Sequence, residues 1–268
     1  MNSNSTLLKL GKISGIYYPC GYKTKTILIY GIGTPNVPDN GNLPEAKTVS
    51  EAGYDIFVPD YIGFGRSPGT FTPTNCIKTF LILYELFKKG IKGINNYTHK
   101  NIFLKYQKIL FAGRSLAGAY LPLLPRYNKD IKYLGIIFGA LDQSEQGIIK
   151  GEETNRDFIN SIMLDGYKYL YKGFNKKIWL KHLNDLDGLS PMDNIKYLKN
   201  SVIFIAHGKK DTCIHYSKSV KFYNILIKTF PDNKNQYKLK LYENGSHNSL
   251  TATKALEDYL KFIRGGDY

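Results

Sequence analysis

One serine stands where its hydroxyl could act as a nucleophile. Ser115 lies in the stretch FAGRSLAG, directly after an apolar run and between Gly113 and Gly118. Small residues around such a serine allow the sharp turn from a strand into a helix that lifts the hydroxyl clear of a sheet. Ala117 stands where the second glycine of G-x-S-x-G is usual, and alanine is small enough to keep this turn feasible. The competing interpretation is a serine that only caps the helix after it.

A nucleophilic serine needs a base, and His247 is the best placed histidine for that role. It stands in YENGSHNSL, between the last strand-like run and the last helical segment. A parallel sheet brings this loop to the same edge as Ser115. The other four histidines are expected on the surface, at a strand end or at a helix start: His99, His182, His207 and His215.

Two aspartates could orient the imidazole. Asp211 follows the run SVIFIAHG, and Asp142 follows the run before it, LGIIFG. Asp211 is preferred because it completes the chain order Ser, Asp, His, and Asp142 is the alternative. Asp60, in DYIGFGRS, is expected to anchor a turn by accepting backbone hydrogen bonds.

The same chemistry requires donors for an oxyanion, and two backbone amides are suitable. One is that of Leu116, directly after the serine, and the other is that of Ile32 in the glycine turn LIYGIGTPN. Four side chains near these stretches, or in an aromatic segment farther along, are predicted to contact a substrate: Tyr30, Arg114, Tyr167 and Trp179.

The elements that must position these groups follow an alternating pattern. Short apolar runs separated by segments of helical length indicate a mostly parallel, twisted sheet flanked by helices, an α/β fold. The predicted strands cover residues 26–30, 55–60, 109–113, 134–139, 201–208 and 237–243, with an early hairpin in LLKLGKISGIYYP. The predicted helices are Glu45 to Ala52, Cys76 to Lys89, Ser115 to Leu124, His215 to Thr229 and Ser249 to Ile263.

Residues 143–195 interrupt this rhythm. They are predicted to form a helical cap inserted after the sixth strand, within a single domain that spans residues 1–268. The aromatic residues of this segment favour either a hydrophobic core of its own or an apolar lid over the serine.

Together these stretches resemble the α/β-hydrolase superfamily. Within this superfamily, the chain resembles the cap-bearing esterases and lipases of the monoacylglycerol lipase type and the S33-type serine peptidases. It rests on YGIG, VPDYIGFGRS, GRSLAG, LSPMDNI, HGKKD and NGSH, which extend over residues 26–262. Tyr30, where a histidine is common, and Ala117 depart from the pattern.

The resemblance implies the α/β-hydrolase fold and a serine hydrolase that cleaves a carboxylic ester through an acyl-enzyme intermediate. The expected substrate is a small-molecule acyl ester, such as a monoacylglycerol or a lysophospholipid, and a Ser115, Asp211 and His247 triad would act on it. An amidase or serine peptidase of the same fold, and a binding protein without catalysis, are the alternatives.

The composition of the chain argues against several other classes of protein and of site. The net charge of +15 is spread along the chain without a nucleic-acid motif, so no nucleic-acid partner is expected, while weak association with an anionic membrane surface is left open. Three cysteines without paired spacing argue against disulfides and a zinc site, and the glycine spacing fits no nucleotide-binding loop. No metal or organic cofactor and a cytoplasmic location are therefore expected, and the sequence does not indicate an oligomeric state.

Overall fold

The computed structural model describes residues 5–96 and 98–266, and ten strands of this part form one sheet. The strands are β1 (Thr6–Leu10), β2 (Ile13–Tyr18), β3 (Thr26–Gly31), β4 (Asp55–Pro59), β5 (Ile91–Asn95), β6 (Asn101–Leu104), β7 (Lys108–Arg114), β8 (Tyr133–Ile137), β9 (Val202–Gly208) and β10 (Tyr237–Tyr242). Their order across the sheet is β10-β9-β8-β7-β3-β4-β2-β1-β5-β6. The six strands from β10 to β4 in this order pair in parallel, and the other four pair antiparallel.

The central strands are buried on both faces. All seven residues of β9 and the five middle residues of β7 are buried, as continuously apolar parallel strands must be. The helices that cover the sheet are α1 (Pro44–Glu51), α2 (Pro73–Lys89), α3 (Leu116–Tyr120), α4 (Leu124–Tyr127), α7 (Ser217–Thr229) and α8 (Ser249–Gly265). The resulting architecture confirms the predicted α/β fold.

The helix predicted from Ser115 to Leu124 is divided. The helix α3 ends at Tyr120, a 3-10 turn covers Leu121–Leu123, and α4 follows it. Pro122 and Pro125 lie in this stretch, and proline has no N–H to continue a helical hydrogen-bond ladder.

The strands β5 and β6 form an antiparallel hairpin that the sequence analysis did not predict. Most of their residues are exposed or half-buried, so the segment has the polar composition of a loop. Because of this hairpin, the inserted segment follows the eighth strand of the chain, and the expectation that it follows the sixth was wrong.

The inserted segment contains α5 (Asn155–Met163), α6 (Lys176–Leu183) and a 3-10 turn over Met192–Tyr197. Backbone hydrogen bonds attach it to the loop after β4: Gly65 donates to Leu170 (3.0 Å), Lys172 to Gly63 (2.8 Å) and Phe71 to Lys172 (2.8 Å). The segment is therefore fixed to the same loop that contains Asp60.

Asp60 has the anchoring role expected from the sequence. Its buried carboxylate accepts the backbone N–H of Arg66 at 2.8 Å and pairs with the guanidinium of the same residue at 2.7 Å.

Within the described ranges, no helix combines the length and the apolar character that crossing a membrane requires.

Candidate active site

Ser115 occupies a strained turn between β7 and α3. Its φ of 57° and ψ of −126° are rare for a residue with a side chain, and such conformations occur mostly at functional sites. Its N–H donates to the carbonyl of Ile137 at 3.0 Å, which fixes the turn to the end of β8. The side chain makes no capping hydrogen bond, and the backbone is not extended as in a helix N-cap, so the capping interpretation is not supported.

The methyl group of Ala117 is accommodated by two glycines. A Cβ on Gly31 would lie 2.7 Å from the Cβ of Ala117, and a Cβ on Gly113 would lie 2.9 Å from it. Both distances are shorter than real Cβ contacts. Gly31 of β3 and Gly113 of β7 have no side chains, so they leave room for the methyl group that Ala117 adds to this turn.

His247 and Asp211 are hydrogen-bonded to each other. The distance from His247 Nδ1 to Asp211 Oδ2 is 2.8 Å, although the two residues belong to different loops. The N–H of Lys210 donates to the carbonyl of Gly245 at 2.8 Å and joins those loops. A Cβ on Gly208 would overlap the backbone of Gly245, so this close approach requires glycine.

The carboxylate of Asp211 is buried and fully partnered. Its Oδ1 accepts the backbone N–H groups of Cys213 (2.9 Å) and Ile214 (3.0 Å), and its Oδ2 also lies 3.2 Å from His207 Nε2. Burial acts to raise the pKa of Asp211, but the hydrogen bonds from His207 and His247 outweigh it and hold the pKa well below the usual range. The group is therefore an anion at neutral pH, suited to orient an imidazole.

Two residues considered at the sequence level have other partners. His207 is fully buried, and its Nδ1 contacts Ser219 Oγ at 2.7 Å while its Nε2 contacts the carbonyl of Ile214 at 2.9 Å. Asp142 pairs with Lys221 Nζ at 2.6 Å. Of the two candidate acids, the structure brings Asp211 to His247.

Ser115 and His247 line the same cavity, whose volume is about 320 Å³. The ring of Phe138 forms part of its wall, 4.4 Å from the imidazole ring between centroids. Among the described hydrogen bonds, none joins Ser115 Oγ to the imidazole. Such contacts are often long without a substrate and shorten when one binds.

The two candidate oxyanion amides belong to the turn after β3 and to the start of α3. Leu116 is the first residue of α3, and its N–H has no partner inside the helix. Ile32 lies directly after β3, and its carbonyl accepts a hydrogen bond of 2.8 Å from the Tyr61 hydroxyl, which fixes the turn. A Cβ on Gly33 would lie 2.7 Å from the Cβ of Ser115, so this turn lies directly against the serine.

Arg114 is the one residue of the predicted substrate-contact set that lines the larger cavity. Its guanidinium pairs with the buried Glu45 at 3.0 Å and donates to Ser249 Oγ at 2.9 Å. These contacts connect β7 to α1 and to the start of α8, next to His247. Sequence reasoning missed Glu45 because no spacing relates it to the serine.

The other three predicted substrate contacts lie elsewhere. Tyr30 is fully buried, with its hydroxyl 3.3 Å from Glu45 Oε1. Trp179 is fully buried, and its Nε1 donates to the carbonyl of Phe71 at 3.2 Å. Tyr167 is half-buried and packs against the core. None of the three lines either of the described cavities at Ser115.

One group of side chains has the proximity that a metal site needs. Ligand atoms of Asp211, Cys213 and His247 lie within 4.8 Å of one another, the one such group found in residues 5–96 and 98–266. Burial raises the pKa of the Cys213 thiol to about 11, which makes it a poorer thiolate donor than an exposed cysteine. The chemistry of this group fits an Asp–His pair better than a metal site.

Comparisons with known proteins agree with this fold. A family model for the prolyl oligopeptidase family of S9 peptidases matches residues 159–264, a part that includes Asp211 and His247. No curated protein matches the sequence significantly.

Solved structures match over nearly the whole chain. An esterase from Pyrococcus furiosus is 14% identical with a TM-score of 0.65, covering 97% of this chain and 90% of the esterase. An α/β-fold hydrolase from Bacillus anthracis is 15% identical with a TM-score of 0.63, covering 96% and 98%. An acylaminoacyl peptidase from Pyrococcus horikoshii is 14% identical with a TM-score of 0.63, covering 97% of this chain and 41% of the peptidase. The chain has the α/β-hydrolase fold, as the sequence predicted.

Proposed function

We propose that this protein is a serine hydrolase that cleaves carboxylic esters through an acyl-enzyme intermediate. The observation that carries the proposal is the hydrogen-bonded pair of His247 and Asp211, at a cavity that Ser115 also lines from a strained turn. The fold, shared with esterases and a peptidase, supports the same class of reaction.

In the proposed mechanism the hydroxyl oxygen of Ser115 attacks the ester carbonyl. Its proton passes to Nε2 of His247, and the negative charge of Asp211 stabilises the imidazolium. The amides of Ile32 and Leu116 donate to the oxyanion. His247 then protonates the leaving alcohol, a water molecule attacks the acyl-enzyme with His247 as base, and the carboxylic acid leaves.

A peptidase or amidase is the second candidate, because the family match is to a peptidase family. The same groups would act, with an amine as the leaving group. Comparing p-nitrophenyl esters with aminoacyl p-nitroanilides on the purified protein distinguishes the two. Faster turnover of the esters by kcat/KM, corrected for their intrinsic reactivity, supports the esterase.

The expectation of a monoacylglycerol or a lysophospholipid as substrate has lost its structural reason. It rested on aromatic side chains of the inserted segment, and Trp179 is buried in the core instead of exposed to a cavity. The proposal is therefore limited to carboxylic esters as a class.

The decisive variant is Ser115→Ala. We expect it to fold and to lose p-nitrophenyl ester hydrolysis, while Ser50→Ala, at the end of α1 and away from both cavities, keeps it. Hydrolysis that persists in purified Ser115→Ala contradicts the proposal, and so does a wild-type protein without hydrolytic activity, which would leave a binding protein of this fold.

A further inference from the structure

A small cavity adjoins Ser115 on the side of the inserted segment. Its volume is about 40 Å³, and its walls include Ser115, Leu116, Gln143, Glu153, Asn155 and Phe158. We call it the polar pocket. We propose that it binds a short acyl group that carries a hydrogen-bond donor, either a hydroxyl or an ammonium group. The inference rests on the proposed function and names its substrate class.

Gln143 is the strongest evidence for a ligand. The residue is 1% exposed, and both polar atoms of its side chain, Oε1 and Nε2, lack a hydrogen-bond partner. Buried amides are almost always paired in native proteins, so an unpaired one in a cavity wall next to a nucleophile indicates a missing partner. The backbone at this point is fixed, because Asn155 Nδ2 donates to the carbonyl of Gln143 at 3.1 Å.

Glu153 adds a second acceptor. It lines both the polar pocket and the larger cavity, and no hydrogen bond or ion pair of its carboxylate is found among the described residues. Burial raises its pKa above the ordinary value, although the nearby His247 acts to lower it. Glu153 is half-buried, so a donor on the substrate would give its carboxylate a partner where water is partly excluded.

The position of Glu153 is set by its neighbours. Its N–H donates to the carbonyl of Thr212 at 3.1 Å, and its own carbonyl accepts Gln146 Nε2 at 2.7 Å. The preceding residue, Glu152, forms a buried ion pair with Lys218 of α7. The inserted segment is thus attached to the loop that contains Asp211, and the carboxylate of Glu153 is held beside the reacting groups.

The size and lining of the polar pocket define the acyl group. A cavity of about 40 Å³ has room for roughly three water-sized groups, since one water needs about 10–15 Å³ on this measure. Because Ser115 and Leu116 lie at its wall, a group that enters it is attached close to the scissile carbonyl. The carboxylate of Glu153 accepts, and Gln143 offers an acceptor in Oε1 and a donor in Nε2, so an entering group that donates has a partner on both residues.

Three p-nitrophenyl esters test the inference: butanoate, 3-hydroxybutanoate and the β-alanine ester. We expect the wild type to hydrolyse at least one of the two donor-bearing esters about tenfold faster than butanoate by kcat/KM, the effect of one good hydrogen bond. In Gln143→Met, which keeps the side-chain volume but removes the amide, this preference should fall to about unity. Gln236→Met is the matched control, because Gln236 also has a buried Oε1 without a partner but lies away from the site.

Glu153→Gln distinguishes the two donors. It should lower the rate for the β-alanine ester much more than the rate for 3-hydroxybutanoate if an ammonium group binds, and lower both equally if a hydroxyl binds. A wild type without any preference for the donor-bearing esters, or a Gln143→Met variant that retains the preference, overturns the inference while ester hydrolysis itself stands.

A binding measurement keeps the two proposals separate. Calorimetric titration of Ser115→Ala with ethyl 3-hydroxybutanoate, ethyl β-alaninate and ethyl butanoate needs no catalysis. Tighter binding of a donor-bearing ester supports the polar pocket even if the wild type hydrolyses nothing. Equal or absent binding of all three contradicts it.

Discussion

Replacing Asp211 with asparagine should separate folding from catalysis. The new side chain keeps an oxygen that can accept the N–H groups of Cys213 and Ile214, now at 2.9 and 3.0 Å from Oδ1. Its amide nitrogen then takes the place of Oδ2, 2.8 Å from His247 Nδ1. A donor there forces Nδ1 to accept, which moves the ring proton to Nε2, the atom that takes the proton of Ser115 in the proposed mechanism.

The expected cost follows from that wrong tautomer. In a serine hydrolase this exchange lowers kcat by about 10,000-fold, which corresponds to about 5.5 kcal/mol of transition-state stabilisation. The assay is kcat for a p-nitrophenyl ester, with circular dichroism to confirm that the variant folds.

Asp142→Asn is the matched control. Asp142 and Asp211 are both 4% exposed, and each pairs with a charged or titratable side chain, Lys221 for Asp142 and His207 and His247 for Asp211. Asp142 pairs with Lys221, and we expect its variant to keep kcat within about threefold of wild type, as for a substitution outside the site. A kcat for Asp211→Asn within tenfold of wild type, or a large loss in Asp142→Asn, would falsify the assignment of the acid.

Three further predictions concern the turn, the acid and the core. Gly33→Ala adds a methyl group 2.7 Å from the Cβ of Ser115. We expect kcat to fall at least about 100-fold, because the loss of one oxyanion donor costs this much. An unchanged kcat would refute the close contact. Because the pKa of Asp211 is lowered in the folded protein, its carboxylate stabilises the fold at pH values above about 3.9, the usual pKa of an unfolded aspartate, and this stabilisation is lost as the pH falls. Urea unfolding should therefore show a smaller loss of stability between pH 7 and pH 3 in Asp211→Asn than in wild type. Equal losses in the two proteins contradict this prediction. Trp179→Ala should lower the free energy of unfolding by about 3–5 kcal/mol, and a change below about 1 kcal/mol would show that Trp179 is not a core residue.

The sequence predicted the sheet well because its central strands are continuously apolar. The strands β5 and β6 were missed since they lie at the sheet edge, where exposed positions such as Phe103 alternate with buried ones and the composition is that of a loop. The pattern of strands also predicted that the candidate site residues lie at one edge of the sheet, because Ser115, Asp211 and His247 each follow a parallel strand.

The position of the inserted segment relative to the site was beyond this reasoning. Its position over the site depends on long-range contacts such as the ion pair between Glu152 and Lys218, which no local spacing reveals. Gln143 and Glu153 were missed for that reason. Conversely, Trp179 was assigned to the substrate on its aromatic character, which does not tell whether a side chain packs in the core or faces a cavity.

The central claim is that Ser115 is a nucleophile activated by His247. Intact mass spectrometry after treatment with a fluorophosphonate probe tests it most directly, with peptide mapping to locate the adduct. The account predicts one adduct on Ser115, absent from Ser115→Ala and formed far more slowly in His247→Ala. No labelling of the wild type, or labelling that remains in Ser115→Ala, would contradict it.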